Sequence, residues 1–368
     1  MSSNGPARAG AAPAVGPGVG AAEPLAAARE SSPSFVFLIC SERSGSNLIS
    51  AILNAHPAIG STPPLHLCRD VGLAWHALLD PEGRSRVKSG FDALIAQRLA
   101  KFCSQQAARD FLLWSREEPP ADFGRLAREV FGRFCALADR KIIFIKENNL
   151  HRMLFFILHW FPSARFVFQV RDPRDFLLSA QRRKEGPYGN KFGSNLRAME
   201  TWRADQLGGL SAMAHFGPKR VFFQRYEDLV AAPDVVLPAL CAFLGVAYAP
   251  TMLEFHSSDY SARLAVPGGP RENLDKPLLA QNFGKYREGL ETEQIRMVET
   301  TLGHLMQRFG YQLDDPCAAD ASRHERLWPM LQDPLERLAN GARFAIADQD
   351  QEESLVTADG IVPRPYGN

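Results

Sequence analysis

The chain has almost no surplus of charge. Against 41 Asp and Glu stand 42 Lys and Arg, a formal net of +1 over 368 residues. A dedicated nucleic-acid binder needs a basic surplus to neutralise phosphates, so no nucleic-acid partner is expected. A local anion pocket stays open, because it needs only a few convergent cations. Cysteine is sparse: six residues, no CxxC pair and no His cluster nearby at metal-ligand spacing. The thiols read as small core hydrophobes in a reducing compartment, and no metal is expected. Long apolar runs are lacking too. The longest, 153–161, is too short to span a bilayer and is interrupted by His159. Large apolar side chains are scarce in residues 1–33, which hold ten Ala, five Gly and five Pro. No basic start followed by an apolar stretch occurs there, so no secretory signal is expected. These absences point to a cytoplasmic protein with no membrane partner, preceded by a disordered leader over 1–33.

What is present is 45% apolar and 23% charged, the balance of a globular chain. The length allows roughly two domains, or one large α/β domain with an insertion and tails. Order begins at Phe35-Val36-Phe37-Leu38-Ile39-Cys40, a continuous apolar run of the kind found in a fully buried parallel strand. Further buried strands are expected at 141–145, 165–170 and 220–224. Leu48, Ile49, Ile52 and Leu53 recur at helical spacing, and helices are expected over 151–160, 175–183 and 234–244. A last amphipathic helix is expected over 293–309. Strand and helix alternate, so the fold class is α/β, an open and mainly parallel sheet flanked by helices. Residues 70–140 break the rhythm as a helical insertion, with helices over 91–102 and 123–137. That insertion either shapes an acceptor pocket over the carboxyl edge of the sheet or simply buries core. The enzyme-sized unit is 34–312; 313–368 reads as a partly disordered extension with an acidic stretch at 347–354.

Two strand-to-helix loops carry chemistry. The first is Ser41-Glu42-Arg43-Ser44-Gly45-Ser46-Asn47. Small residues let backbone N–H groups approach a ligand, and the helix N-terminus adds about half a positive charge. Arg43 adds a forked donor set that fits phosphate or sulfate oxygens. The loop resembles a P-loop but lacks the GxxxxGK(S/T) pattern. Its plain alternative is a Ser-rich turn with Ser44 or Ser46 as helix cap. The second loop is Arg171-Asp172-Pro173-Arg174-Asp175, followed by Ser179 and Arg183 on one helix face. Two guanidiniums and a hydroxyl there make a second anion pocket; the plain alternative is a surface Arg171–Asp175 or Arg174–Asp172 pair. Two such pockets at the ends of different strands suggest a ligand with two separated phosphate groups.

These loops carry a family resemblance. Arg43-Ser44-Gly45-Ser46-Asn47-Leu48, with Asn54-Ala55-His56-Pro57 after its helix, resembles the 5′-phosphosulfate loop of the PAPS-dependent sulfotransferases. Arg171-Asp172-Pro173-Arg174, Ser179 and Arg183 resemble that family's 3′-phosphate motif. Arg225-Tyr226-Glu227-Asp228-Leu229 is similar to the segment that places a Tyr near the adenine. Asp275-Lys276-Pro277 and Gly284-Lys285-Tyr286 resemble the segment that closes over the nucleotide. The motifs fall in the family's order across 35–312, nearest the bacterial and protein-tyrosine subgroup. The resemblance implies a P-loop NTPase-like fold and the donor 3′-phosphoadenosine 5′-phosphosulfate. It implies transfer of the sulfuryl group to a hydroxyl or amine of a small-molecule, glycan or peptide acceptor, without a metal. Arg43 and Ser44 to Asn47 would hold the 5′-phosphosulfate; Arg171, Ser179 and Arg183 would hold the 3′-phosphate. Tyr226, Lys276 and Lys285 would complete the nucleotide site, and Lys146 matches the family's second catalytic cation.

The general base departs from the family pattern. The position two residues after Lys146 is Asn148, where cytosolic members have His, and 58–67 contains no carboxylate. His66 is the only titratable residue in that stretch and has the right ordinary pKa. Glu147 and His151 compete with it. A nucleotide-dependent kinase and a non-catalytic nucleotide-binding protein are the alternative functions. The kinase would require the missing GK(S/T) lysine and a Mg²⁺-holding constellation.

Overall fold

A computed structural model describes residues 33–72, 81–182, 192–265, 271–315, 355–357 and 360–362. Arg183, the acidic stretch 347–354 and nearly all of the 1–33 leader and 313–368 extension lie outside the described residues. Five parallel strands form one sheet in the order β2-β3-β1-β4-β5. They are β1 Ser34–Ile39, β2 Ile59–Ser61, β3 Ile142–Ile145, β4 Arg165–Val170 and β5 Val221–Arg225. The short edge strand β2 carries only three residues and no long apolar run, so it was not expected from the sequence. A separate antiparallel pair joins β6 Leu355–Thr357 to β7 Gly360–Val362.

The strands are buried on both faces because alternate side chains feed two cores. Phe35, Phe37 and Ile39 of β1, with Ile143, Ile145, Phe166 and Phe168, form the larger one. Into it pack α2 Pro81–Phe102, α3 Gln105–Glu117, α4 Phe123–Glu129, α5 Leu154–Trp160, α7 Asn195–Phe216 and α12 Thr292–Arg308. Val36, Leu38, Phe144 and Val167 face the other core, covered by α1 Ser46–Asn54, α9 Pro233–Leu244 and α10 Asp259–Leu264. The short helices α6 Pro173–Gln181, α8 Tyr226–Ala231 and α11 Tyr286–Gly289 follow strand ends or a loop. The expected insertion therefore buries core on one face of the sheet through Phe91, Leu99, Phe111 and Phe131. Its expected helix over 123–137 is shorter: α4 passes into a wide π-helical turn at Val130–Phe134. Among the described residues no helix is long and apolar enough to cross a membrane.

Register sets the site. Phe37 pairs with both Ile145 and Phe166, and Val170 pairs with Arg225. The segments after β1, β3, β4 and β5 therefore leave the sheet along one carboxyl edge, where open α/β sheets bind ligands. The close approach of α7 to β4 depends on Gly209, where an added Cβ would lie 2.2 Å from the Phe168 ring. Gly209→Ala is expected to lower stability by about 1–3 kcal/mol through overpacking. The shift in urea midpoint measures this.

Candidate active site

The loop after β1 folds tightly because two of its residues adopt left-handed backbone, Arg43 at φ 64° and Gly45 at φ 81°. Gly45 caps α1, and no side chain bonds the free helix N–H groups there, so neither Ser44 nor Ser46 plays the capping role. Glycine is required twice over at this position. Its backbone conformation disfavours a side chain, and a Cβ would lie 2.3 Å from Cδ2 of Tyr226. The loop's carbonyls are turned toward the neighbouring strands. Ser44 accepts from Nε2 of Gln169 at 2.6 Å, Gln169 in turn accepts from Gln224 at 2.6 Å, and Arg43 accepts from Nη1 of Arg171 at 2.9 Å.

The second loop meets the first directly. Nε of Arg43 donates to Oγ of Ser179 at 3.0 Å, across 136 positions of sequence. The Arg171 guanidinium lies 4.7 Å from the centre of the Tyr226 ring, and its backbone carbonyl accepts from Trp202 Nε1 at 3.0 Å. Trp202 is thus a buried brace for Arg171. Arg171 and Asp175 stand 3.8 Å apart. Arg174 and Asp172 also pair, at 2.7 Å, but neither pair is at the surface as the plain reading supposed. Arg174 is buried among Asp172, Glu299 and the Tyr286 ring, so it fixes α6 to α12 instead of facing a ligand.

Arg43, Gly45, Ser46, Asn47, Arg171, Ser179, Tyr226 and Lys285 line one cavity of about 450 Å³. Burial raises the Tyr226 hydroxyl, with Arg171 opposing, and that hydroxyl accepts from Asn282 at 2.7 Å. Lys285 reaches the same Asn282 at 2.6 Å. Asp175 holds this closing segment in place: its carboxylate accepts from the N–H groups of Gly284 and Tyr286 at 2.7 and 2.9 Å. Oγ of Ser44 and Nε of Arg171 are buried with no hydrogen-bond partner among the described residues. Buried donors of this kind call for a ligand or water, and Arg171, which lines the cavity, suits an anion; Ser44 is fully buried and is not among the lining residues. Lys276 does not join them; it is exposed and bonds Asn273 at 2.9 Å. Arg183 lies outside the described residues, but its neighbour Arg182 lines the cavity. Asn282 and Arg271 are cavity residues that no motif pointed to, since a lone Asn or Arg in a loop carries no periodic signal. None of the lining residues comes from 70–140.

Lys146 and His66 stand outside this lining. Lys146 ends β3 beside the first loop: Nζ donates to Asn148 at 3.3 Å, and Asn148 donates to Glu42 at 2.5 Å. His66 is half-buried at φ 50°. The residues after it are tied to β3, because Glu147 accepts from the N–H groups of Leu67 and Cys68 at 2.5 and 2.9 Å. His66 and Lys146 are thereby drawn to the same strand end. Glu147 itself is fully buried and committed to these donors, which leaves it a structural group. His151 bonds Asp205 at 3.1 Å through Nδ1. Glu227 links the loop before α6 to Tyr311. It accepts from the Asp172 N–H at 2.9 Å and the Tyr311 hydroxyl at 2.8 Å, which braces the second loop.

Three comparisons bear on this site. A Sulfotransferase family model matches residues 33–250. The nodulation protein NoeE of Sinorhizobium fredii (strain NBRC 101917 / NGR234) is 24% identical over 313 residues, covering 80% of this chain and 70% of that protein. The sulfotransferase domain from the Synechococcus PCC 7002 olefin synthase has a similar fold, with TM-score 0.53 and 23% identity over 74% of this chain and 96% of that one. The sulfotransferase domain from the curacin biosynthetic pathway is similar too, with TM-score 0.52 and 20% identity over 76% of this chain and 99% of that one.

Burial, and then Asp70, push the Glu147 carboxyl up to about 7 against the backbone donors that lower it. The folded chain therefore keeps this proton to a higher pH than the unfolded chain. Its contribution to stability is complete below the ordinary glutamate pKa of about 4.3 and fades as pH rises toward the folded value. Glu147→Gln cannot ionise, so urea midpoints measured from pH 4.5 to 7.5 should decline less in this variant than in the parent. Glu227, also pushed up to about 7 by burial, leaves part of the decline in place.

Proposed function

Because the chain belongs to the Sulfotransferase family, we propose that its cavity binds 3′-phosphoadenosine 5′-phosphosulfate and that its reaction delivers the sulfuryl group to an acceptor hydroxyl or amine. The observation that carries this reading is the Arg43–Ser179 hydrogen bond, which makes one continuous cavity of the two anion loops. Arg43 and the backbone of Ser44 to Asn47 hold the 5′ end. Arg171 and Ser179, with Arg183, hold the 3′-phosphate, and Tyr226 borders the adenine. The buried, unpartnered Nε of the cavity residue Arg171 supports an anionic occupant. Lys285, and Lys276 from the exposed side, belong to the segment that covers the nucleotide.

The donor supplies an activated sulfuryl group whose transfer, like phosphoryl transfer, runs through a loose transition state with charge building on the leaving phosphate. Arg43 is held in place before that charge develops, and Lys146 supplies a second cation from the neighbouring strand end. His66 accepts the acceptor's proton. Support for it is the proton-accepting chemistry of an imidazole near neutral pH, and its tie, through Leu67 and Glu147, to the end of β3. The acceptor is a small molecule, glycan or peptide. The cytoplasm is the proposed compartment, consistent with free thiols at Cys40, Cys68, Cys103, Cys135 and Cys241.

Adenosine 3′,5′-bisphosphate should raise the melting temperature of the protein, and Mg-ATP should not. Stabilisation by Mg-ATP alone would favour a kinase and sink the proposal. Arg43→Ala and Lys146→Ala should each lower labelled-sulfate transfer about 100- to 1,000-fold. Bisphosphate binding should survive in Lys146→Ala. If both variants transfer at the parental rate, the protein's catalytic residues lie elsewhere. His66→Ala should lose the acidic limb of the pH–rate profile and about 100-fold or more in kcat. If His151→Ala does this instead, the base is the Asp205-held histidine.

A further inference from the structure

We propose that Cys103 and Cys135 are a redox-responsive thiol pair that closes to a disulfide when a hydroperoxide enters the cavity beside them, and that closure weakens nucleotide binding. The two sulfurs lie 3.9 Å apart, brought together across 32 positions by α3, which packs against both α2 and the π-helical turn. Both residues line a second cavity, of about 600 Å³, which also presents Arg133, Arg140 and Arg263. A small oxidant therefore has a route to them. No other pair of cysteines among the described residues is joined in this way; Cys40, Cys68 and Cys241 are buried in the core.

The two thiols are not equivalent. The hydrogen bond with Cys135 lowers the Cys103 thiol, burial opposes this, and the charge of Arg263 reinforces it. The same hydrogen bond, then burial, raises Cys135. Arg263 lines the same cavity and its charge acts on Cys103, so the thiolate is favoured there and Cys103 is the attacking sulfur, with Cys135 resolving. In the first step the Cys103 thiolate attacks one oxygen of the peroxide, the O–O bond breaks, and the other oxygen leaves with a proton as water or alcohol. In the second, the Cys135 sulfur attacks the Cys103 sulfenic acid. The S–S bond forms, the S–O bond breaks, and the oxygen leaves as water with the Cys135 proton. Two thiols are oxidised by two electrons and one peroxide is reduced. A thiol reductant reverses the change.

The link to the first cavity runs through Phe102. Its ring lies 5.6 Å from the Arg271 guanidinium, and Arg271 lines the anion cavity. A disulfide is about 2.05 Å long, so closure draws the sulfurs together by roughly 2 Å and shifts the residue next to Phe102. This second half rests on the nucleotide reading given above; the thiol chemistry does not.

The full chain is treated with hydrogen peroxide, alkylated, and digested with trypsin without reductant. The expected product is a dithiothreitol-sensitive species joining peptides 102–109 and 134–140, whose ends follow Lys101, Arg109, Arg133 and Arg140. In Cys135→Ser, dimedone should label Cys103. Recovery of both peptides as separate alkylated species, or dimedone labelling of Cys135 in Cys103→Ser with none of Cys103 in Cys135→Ser, overturns the assignment. The oxidised protein should bind adenosine 3′,5′-bisphosphate at least about fivefold more weakly than the reduced protein. Equal affinity with the cross-link present overturns the regulatory half. A reduced protein that binds no bisphosphate counts against the nucleotide reading and leaves the peptide map to judge the thiols.

Discussion

Arg171 is the constraint on which the site depends. Its guanidinium donates to the carbonyl of Arg43, lies against the ring of Tyr226 and stands beside Asp175. Its own carbonyl is held by Trp202. One residue thus joins the loop after β1, the loop after β4, the residue after β5 and, through its carbonyl, helix α7. The fit with Gly45 follows from the same stacking, because Tyr226 is pressed so close to the loop that no Cβ has room there. Arg171 also lines the cavity, and its Nε is buried with no hydrogen-bond partner among the described residues.

Buried carboxylates supply the rest of the organisation. Asp175 fastens the closing segment, Glu227 fastens the loop before α6, and Glu147 fastens the turn after His66. Each accepts backbone N–H groups from a segment distant in sequence. Burial raises all three, which means the fold works against their ionisation while using their oxygens as acceptors. The near-zero net charge of the chain is consistent with this pattern. Acidic groups are not only a solvated shell; several are interior partners for backbone and Arg174.

The sheet was legible because parallel strands buried on both faces read as apolar runs, as Phe35 to Ile39 and Phe166 to Phe168 do. Edge strand β2 was not, since three residues make no run and its place beside β3 is a pairing made at distance. The first loop, Arg171 and Ser179 were singled out by strand-to-helix motifs, and Tyr226 by the family resemblance alone. Asn282 and Arg271 were not, because each acts through a contact with a distant segment and leaves no pattern in its own neighbourhood. The plain reading of Arg174–Asp172 as a surface pair failed for the same reason: only packing against α12 and Tyr286 buries it.

Local sequence determined the alternation of strands and helices, the glycine-containing turn after β1 and the supply of cations at two strand ends. Those depend on side-chain size, backbone freedom and short-range spacing. Tertiary structure alone decided which cations meet. Arg43 reaches Ser179 only because β1 and β4 are adjacent in the sheet and in register. It also decided that Arg174 and Glu147 are structural groups, since a charged side chain's role is set by what surrounds it once water has been excluded.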